Sequence, residues 1–140
     1  MSRHLLDNNA RLPALYERLR QHRLQMERVG IEWGRAEWLD ENILSKLRGS
    51  KKTFHSLDAD FFRREYCNPT YCLVFYDYAV RNDEQARAVA DVMARFIRHP
   101  NFRTHAQRLG KVIRVTDSHI ECYEVGRREL QRVQWQSSMR

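Results

Sequence analysis

The stretch Tyr71–Val80, reading YCLVFYDYAV, constrains the fold most. It is nearly continuous in apolar and aromatic residues and carries β-branched and aromatic types that fit a pleated surface. Such a run suits a strand buried on both faces, the centre of a sheet. A strand of that kind needs layers above and below it, so the remaining elements must supply apolar faces to cover it.

The flanking segments are read from their periodicity. Residues 1–9 form a lead-in. Asn8 or Asn9 caps a helix over residues 10–29, with Leu12, Leu15, Tyr16, Leu19, Met26 and Val29 as its apolar stripe and Pro13 in its first turn. Gly30 stops it. A second helix over residues 35–48 uses Trp38, Leu39, Ile43, Leu44 and Leu47, and Gly49 ends it. GSKKTFHS reads as a polar loop, and residues 58–67 as a third, short helix anchored by Phe61 and Phe62.

After the central strand, Asn82 or Asp83 caps the clearest helix of the chain, which ends before Pro100. Residues 101–109 add a helical turn or two. KVIRVT and HIECYEV flank the turn Asp117-Ser118 as a hairpin, and ELQRVQW supplies a further strand or a tail.

The expected class is α+β: N-terminal helices, then a small, at least partly antiparallel β-α-β-β sheet with helices on one face. The expected organisation is a single domain over residues 1–140, with a helical part at 1–67 and a β-α-β-β part at 68–140. Five glycines and three prolines in 140 residues are too few for a many-turned sandwich. No apolar run approaches a membrane span, and three cysteines fit a disulfide framework poorly. The expectation is a soluble, intracellular protein without a membrane partner.

Charge carries the functional signal. The formal net charge is +7, and only four of the 25 basic residues are Lys. Residues 92–116 contain no acid. Within them Arg95, Arg98, Arg103, Arg108, Lys111 and Arg114 span a helix end, a loop and a strand start. Arg18, Arg20 and Arg23 on the first helix form an auxiliary basic face. Phosphates would complement such charge, and arginine's planar fork suits them. Phe102 offers a surface for a base to stack on, or a core anchor. Lys51 and Lys52 with Arg48 make a smaller cluster.

Tyr66, Tyr71, Phe75, Tyr76, Tyr78 and Tyr123 gather on or beside the sheet, and with arginine would equally suit a protein interface. The function read from this pattern is a small non-enzymatic binding protein for nucleic acid. The alternative is an interaction module facing an acidic protein, with homo-oligomerisation open because of the broken stripe over residues 10–29.

Other chemistry is sparse. The chain has no glycine-rich phosphate loop and no nucleophile elbow, so no catalytic residue and no cofactor are assigned. Cys67, Cys72, His119 and Cys122 form a weak candidate set for zinc; inert buried cysteines are the alternative. Asp77 on the central strand could act as a base or ligand, or pair with an arginine. Asp117, Ser118 and His119 are adjacent in sequence, unlike a triad assembled in space. A helix-turn-helix across residues 43–57 lacks the glycine and small residue its turn needs. His55, His99 and His105 show no partner pattern.

Overall fold

The computed structural model describes residues 3–135. Seven strands form one mixed sheet: β1 (His4–Leu6), β2 (Glu27–Arg28), β3 (Thr53–Ser56), β4 (Cys72–Tyr76), β5 (Lys111–Val115), β6 (His119–Glu124) and β7 (Gln131–Gln134). Their order is β2-β1-β3-β4-β5-β6-β7. The first five run parallel, and β6 and β7 join antiparallel. The helices are α1 (Pro13–Gln21), α2 (Asp40–Leu47), α3 (Asp83–Ile97) and α4 (His105–Arg108). The protein is therefore mixed α/β.

β4 is the apolar run of the sequence, and all five of its residues are buried. Cys72, Val74 and Tyr76 enter one core with Leu15 and Leu19 of α1 and Val89, Met93 and Phe96 of α3. Leu73 enters a second core with Phe54, Phe61 and Ile43, Leu44 and Leu47 of α2. Helices thus flank both faces of the sheet, not one. Parallel strands cannot be joined by tight hairpins, so each pair needs a crossover over one face or the other. Full burial of side chains the size of Phe96 or Leu73 stabilises by roughly 1.5–3 kcal/mol each.

Residues 1–67, expected to be helical, contribute three strands. The 10–29 helix ends at Gln21, because Arg23 turns the chain through a left-handed φ of 63°; Met26 and Val29 belong to the approach and exit of β2. The 35–48 helix begins only at Asp40. KKTFHS is a loop only at its start, since Thr53–Ser56 is a buried inner strand. Residues 58–67 hold two 3-10 turns, Ala59–Phe61 and Arg64–Tyr66, in place of one α-helix. The hairpin at Asp117-Ser118 forms with Val115 opposite Ile120.

β3 looks polar yet is buried because its side chains find partners. His55 Nδ1 bonds the Tyr76 hydroxyl at 2.8 Å, and its Nε2 bonds His4 Nδ1 at 3.0 Å. Ser56 Oγ donates to Asp7 at 2.7 Å. Thr53 Oγ1 accepts from Arg108 Nε at 2.9 Å. Burial pushes His4 down to about 3 and His55 well below its ordinary value, so both rings are neutral near pH 7. Among the described residues no helix is long and apolar enough to cross a membrane.

Candidate functional site

The chain reverses direction across the sheet between β1 and β3. From β1 it moves outward through α1 to β2, and from β3 it moves the other way to β4 and β5. In an open parallel sheet the connections leaving two such strands diverge, and the crevice at their carboxyl ends is where ligands bind. Asp7 directly follows β1 and Asp58 follows β3 by two residues. Asp40 opens α2 at the end of the connection from β2.

Ligand oxygens of Asp40, Asp58 and Asp60 lie within 4.8 Å of one another. Local structure explains part of this. Asp40 sits in the first turn of α2, where a carboxylate meets the positive helix end. Asp58 caps a 3-10 turn by accepting from the Asp60 amide at 2.9 Å. Neither role requires three carboxylates to converge. Burial, then the nearby Asp58 and Asp60, raises the Asp40 carboxyl above its ordinary range, and Arg63 opposes this weakly. None of the three is in an ion pair among the described residues, although the chain has a net charge of +7.

A support layer lies beneath them. Asp7 is 5% exposed, and its carboxylate accepts from Ser56 Oγ and the Asn8 amide, each at 2.7 Å. Burial raises its carboxyl, and Asp40 and Asp58 add to the rise against those two hydrogen bonds. Asn9 accepts from the Leu57 amide at 3.1 Å, tying the β1 exit to the β3 exit. Asn8 Nδ2 donates to the Ala36 carbonyl at 2.9 Å and fixes the loop 29–39 beside the carboxylates. Asn8 Oδ1 is buried with no hydrogen-bond partner. Within that loop Gly34 has φ +66°, and a Cβ there would fall 2.7 Å from the Trp38 ring. Only glycine allows the indole to close onto the turn.

The arginines expected to contact phosphate are spread over several surroundings. Arg95 and Arg98 lie exposed near the end of α3, and Arg103 is exposed in the following loop. Arg108 is buried, 4% exposed, with hydrogen bonds to Thr53 Oγ1 and the carbonyls of Phe102 and Arg103. Lys111 Nζ donates to the Gln107 carbonyl. Arg114 bonds Asp77 at 3.0 Å and Glu121 at 2.8 Å. Arg18 pairs with Asp91, while Arg20 and Arg23 are exposed. Phe102 is buried against Phe96. Asp77 is thus paired with an arginine.

The cysteine and histidine set does not converge. Cys72 and Cys122 enter the α1/α3 core, whereas Cys67 packs at the margin of the other one. His119 and Cys122 are three positions apart on β6 and so point to opposite faces. Burial raises the Cys122 thiol to about 12 and the Cys72 thiol further. His119 instead bonds Ser118 Oγ at 2.9 Å and Glu121 at 3.0 Å.

Comparison with known family models, curated proteins and solved structures returns no match. The carboxylate group was not among the residues the sequence singled out. A signal was present for part of it: HLLD and TFHSLDAD place Asp7, Asp58 and Asp60 just beyond short strands, whereas Asp40 carries no such mark.

Proposed function

We propose that the protein binds a divalent cation through Asp40, Asp58 and Asp60 and hydrolyses phosphodiester bonds in nucleic acid. The observation that carries the reading is the convergence of three carboxylates, with no ion-pair partner among the described residues, on the connections into α2 and out of β3, where the chain reverses direction across the sheet. Oxygen ligands of this kind suit a hard cation such as magnesium or manganese. A bare carboxylate trio repels phosphate; a divalent cation held by Asp40, Asp58 and Asp60 would offset that charge and would supply Lewis-acid activation of a phosphoryl group and of water. Asp7 acts as a positioning residue beneath the site. The excess of basic side chains supports a polyanionic substrate, with exposed Arg95, Arg98 and Arg103 available for backbone contacts that confer affinity and salt dependence.

The test is cleavage of labelled single- and double-stranded DNA and RNA with magnesium, manganese or chelator. Cation-dependent cleavage lost in Asp58→Asn supports the reading. Absence of cation binding by calorimetry together with absence of cleavage rejects it.

A second reading, an interaction module, is favoured by the loop 29–39. Ile31 and Leu39 there are 54% and 64% exposed. A concentration-dependent mass in light scattering, abolished by Ile31→Ser with Leu39→Ser, would support a self-associating surface. A constant monomer mass removes that form of the reading.

A further inference from the structure

The end of α1, the last turns of α3 and Trp135 line an open cavity of about 400 Å³, remote in chemistry from the carboxylate site. We propose that this cavity binds a phosphate group.

Its charge is unbalanced in a specific way. Asp91 is the one acid on its wall among the described residues, and it is already engaged by Arg18 Nε at 2.8 Å and His22 Nε2 at 2.7 Å. Those contacts hold its carboxyl below the usual range. Arg95 and Arg98 therefore face the cavity without an acidic partner among the described residues. Arg95 lies in the last turn of α3 and Arg98 is its C-cap, and both line the same pocket. The Arg95 guanidinium lies 4.3 Å from the Trp135 ring centroid, which orients it without using an N–H. Arg98 donates one N–H to the His22 carbonyl at 2.9 Å, which pins the fork and leaves its other side-chain donors without a partner among the described residues. His99 is saturated: its Nε2 bonds the Gln134 carbonyl at 2.7 Å and its Nδ1 accepts from the Asn101 amide at 3.0 Å.

The negative end of α3 favours cations here. That accounts for arginine at these positions. It does not account for two held forks on the wall of one cavity. Two planar donors aimed at one space match a tetrahedral oxyanion, and phosphate carries the charge they lack. Free phosphate, a nucleotide and a nucleic-acid chain all present that group.

The experiment uses the full chain with Trp33→Phe and Trp38→Phe, leaving Trp135 as the sole tryptophan. Chelator is present, so that the carboxylate site plays no part. Inorganic phosphate, adenosine monophosphate and a short oligodeoxynucleotide are titrated at constant ionic strength while Trp135 emission is followed. The expected result is a saturable change, weakened at least about tenfold by Arg95→Gln with Arg98→Gln. Tighter binding of the nucleotide or the oligonucleotide than of phosphate names the source; equal binding names free phosphate. No saturable change with any of the three, or an equal change in the double variant, overturns the proposal. If the tryptophan substitutions unfold the chain, amide NMR shifts of residues 91–99 in the otherwise unaltered protein give the same readout. A failure here leaves cation binding at Asp40, Asp58 and Asp60 untouched.

Discussion

Neutralising Asp58 should raise the stability of the cation-free protein and at the same time remove stabilisation by the cation. The ligand oxygens of Asp40, Asp58 and Asp60 lie within 4.8 Å of one another, so Asp58 takes part in two like-charge pairs. At that separation each pair repels by roughly 0.9 kcal/mol in a water-like dielectric, and physiological salt cuts this to about half. Asp58→Asn therefore relieves about 1 kcal/mol. It keeps the 3-10 cap, because asparagine caps as well as aspartate does. For a chain of this length that corresponds to a rise in Tm of roughly 3 °C.

Cation binding acts in the opposite sense across the two proteins. At one hundred times Kd it stabilises the wild type by about 2.7 kcal/mol, or roughly 8 °C, and the variant by much less. The assay is scanning calorimetry of both proteins in chelator and in magnesium or manganese. A wild-type Tm indifferent to cation, or a variant less stable than wild type in chelator, would refute the reasoning.

Three further outcomes follow from the buried groups. Arg108→Ala should cost about 3 kcal/mol or more in urea unfolding, because it leaves Thr53 Oγ1 and two carbonyls without their donor; Arg108→Met, closer in volume, should cost less than Arg108→Ala. His4 falls from 6.5 to about 3 on folding, so the unfolded chain binds the extra proton. Stability should thus be fully present above about pH 6.5 and decline as pH falls toward 3, by several kcal/mol at most, and His4→Gln should flatten the decline. A thiol reagent on the native protein should modify half-buried Cys67 first, with Cys72 and Cys122 reacting only on unfolding, counted by mass spectrometry.

What the sequence made legible follows from how each element is stabilised. β4 and α3 carry their signals locally, one as a continuous apolar run and the other as a capped stripe running from Ala86 to Ile97. β3 does not. Its Thr53, His55 and Ser56 look like loop chemistry, and they are buried only because Arg108, Tyr76 and Asp7 arrive from distant parts of the chain to bond them. The three residues of β1 are too few to show a period. The 10–29 stripe misled because Met26 and Val29 continue the helical spacing beyond Gln21 while serving the approach and exit of β2.

The candidate site was hidden for a related reason. Its aspartates are separated by as many as 20 positions, from Asp40 to Asp60, and come together only through a strand order that no local pattern specifies. The basic stretch was visible as composition, but sequence order could not reveal that Arg108 turns inward and Arg114 pairs with Asp77 and Glu121.

The position of β1 sets the order of assembly. It lies between β2 and β3, and His4 pairs with Thr53, a partner 49 residues further along the chain. During synthesis β1 is made before β3, and the side of it that pairs with Thr53–His55 stays unsatisfied until β3 follows. The inner half of the sheet closes only through that distant pairing, whose loop-closure entropy must be met before any contact rewards it. Refolding should accordingly be slow for a chain of this size, and the Asp7–Ser56 bond that braces the carboxylate crevice should appear in the same step that seats β1.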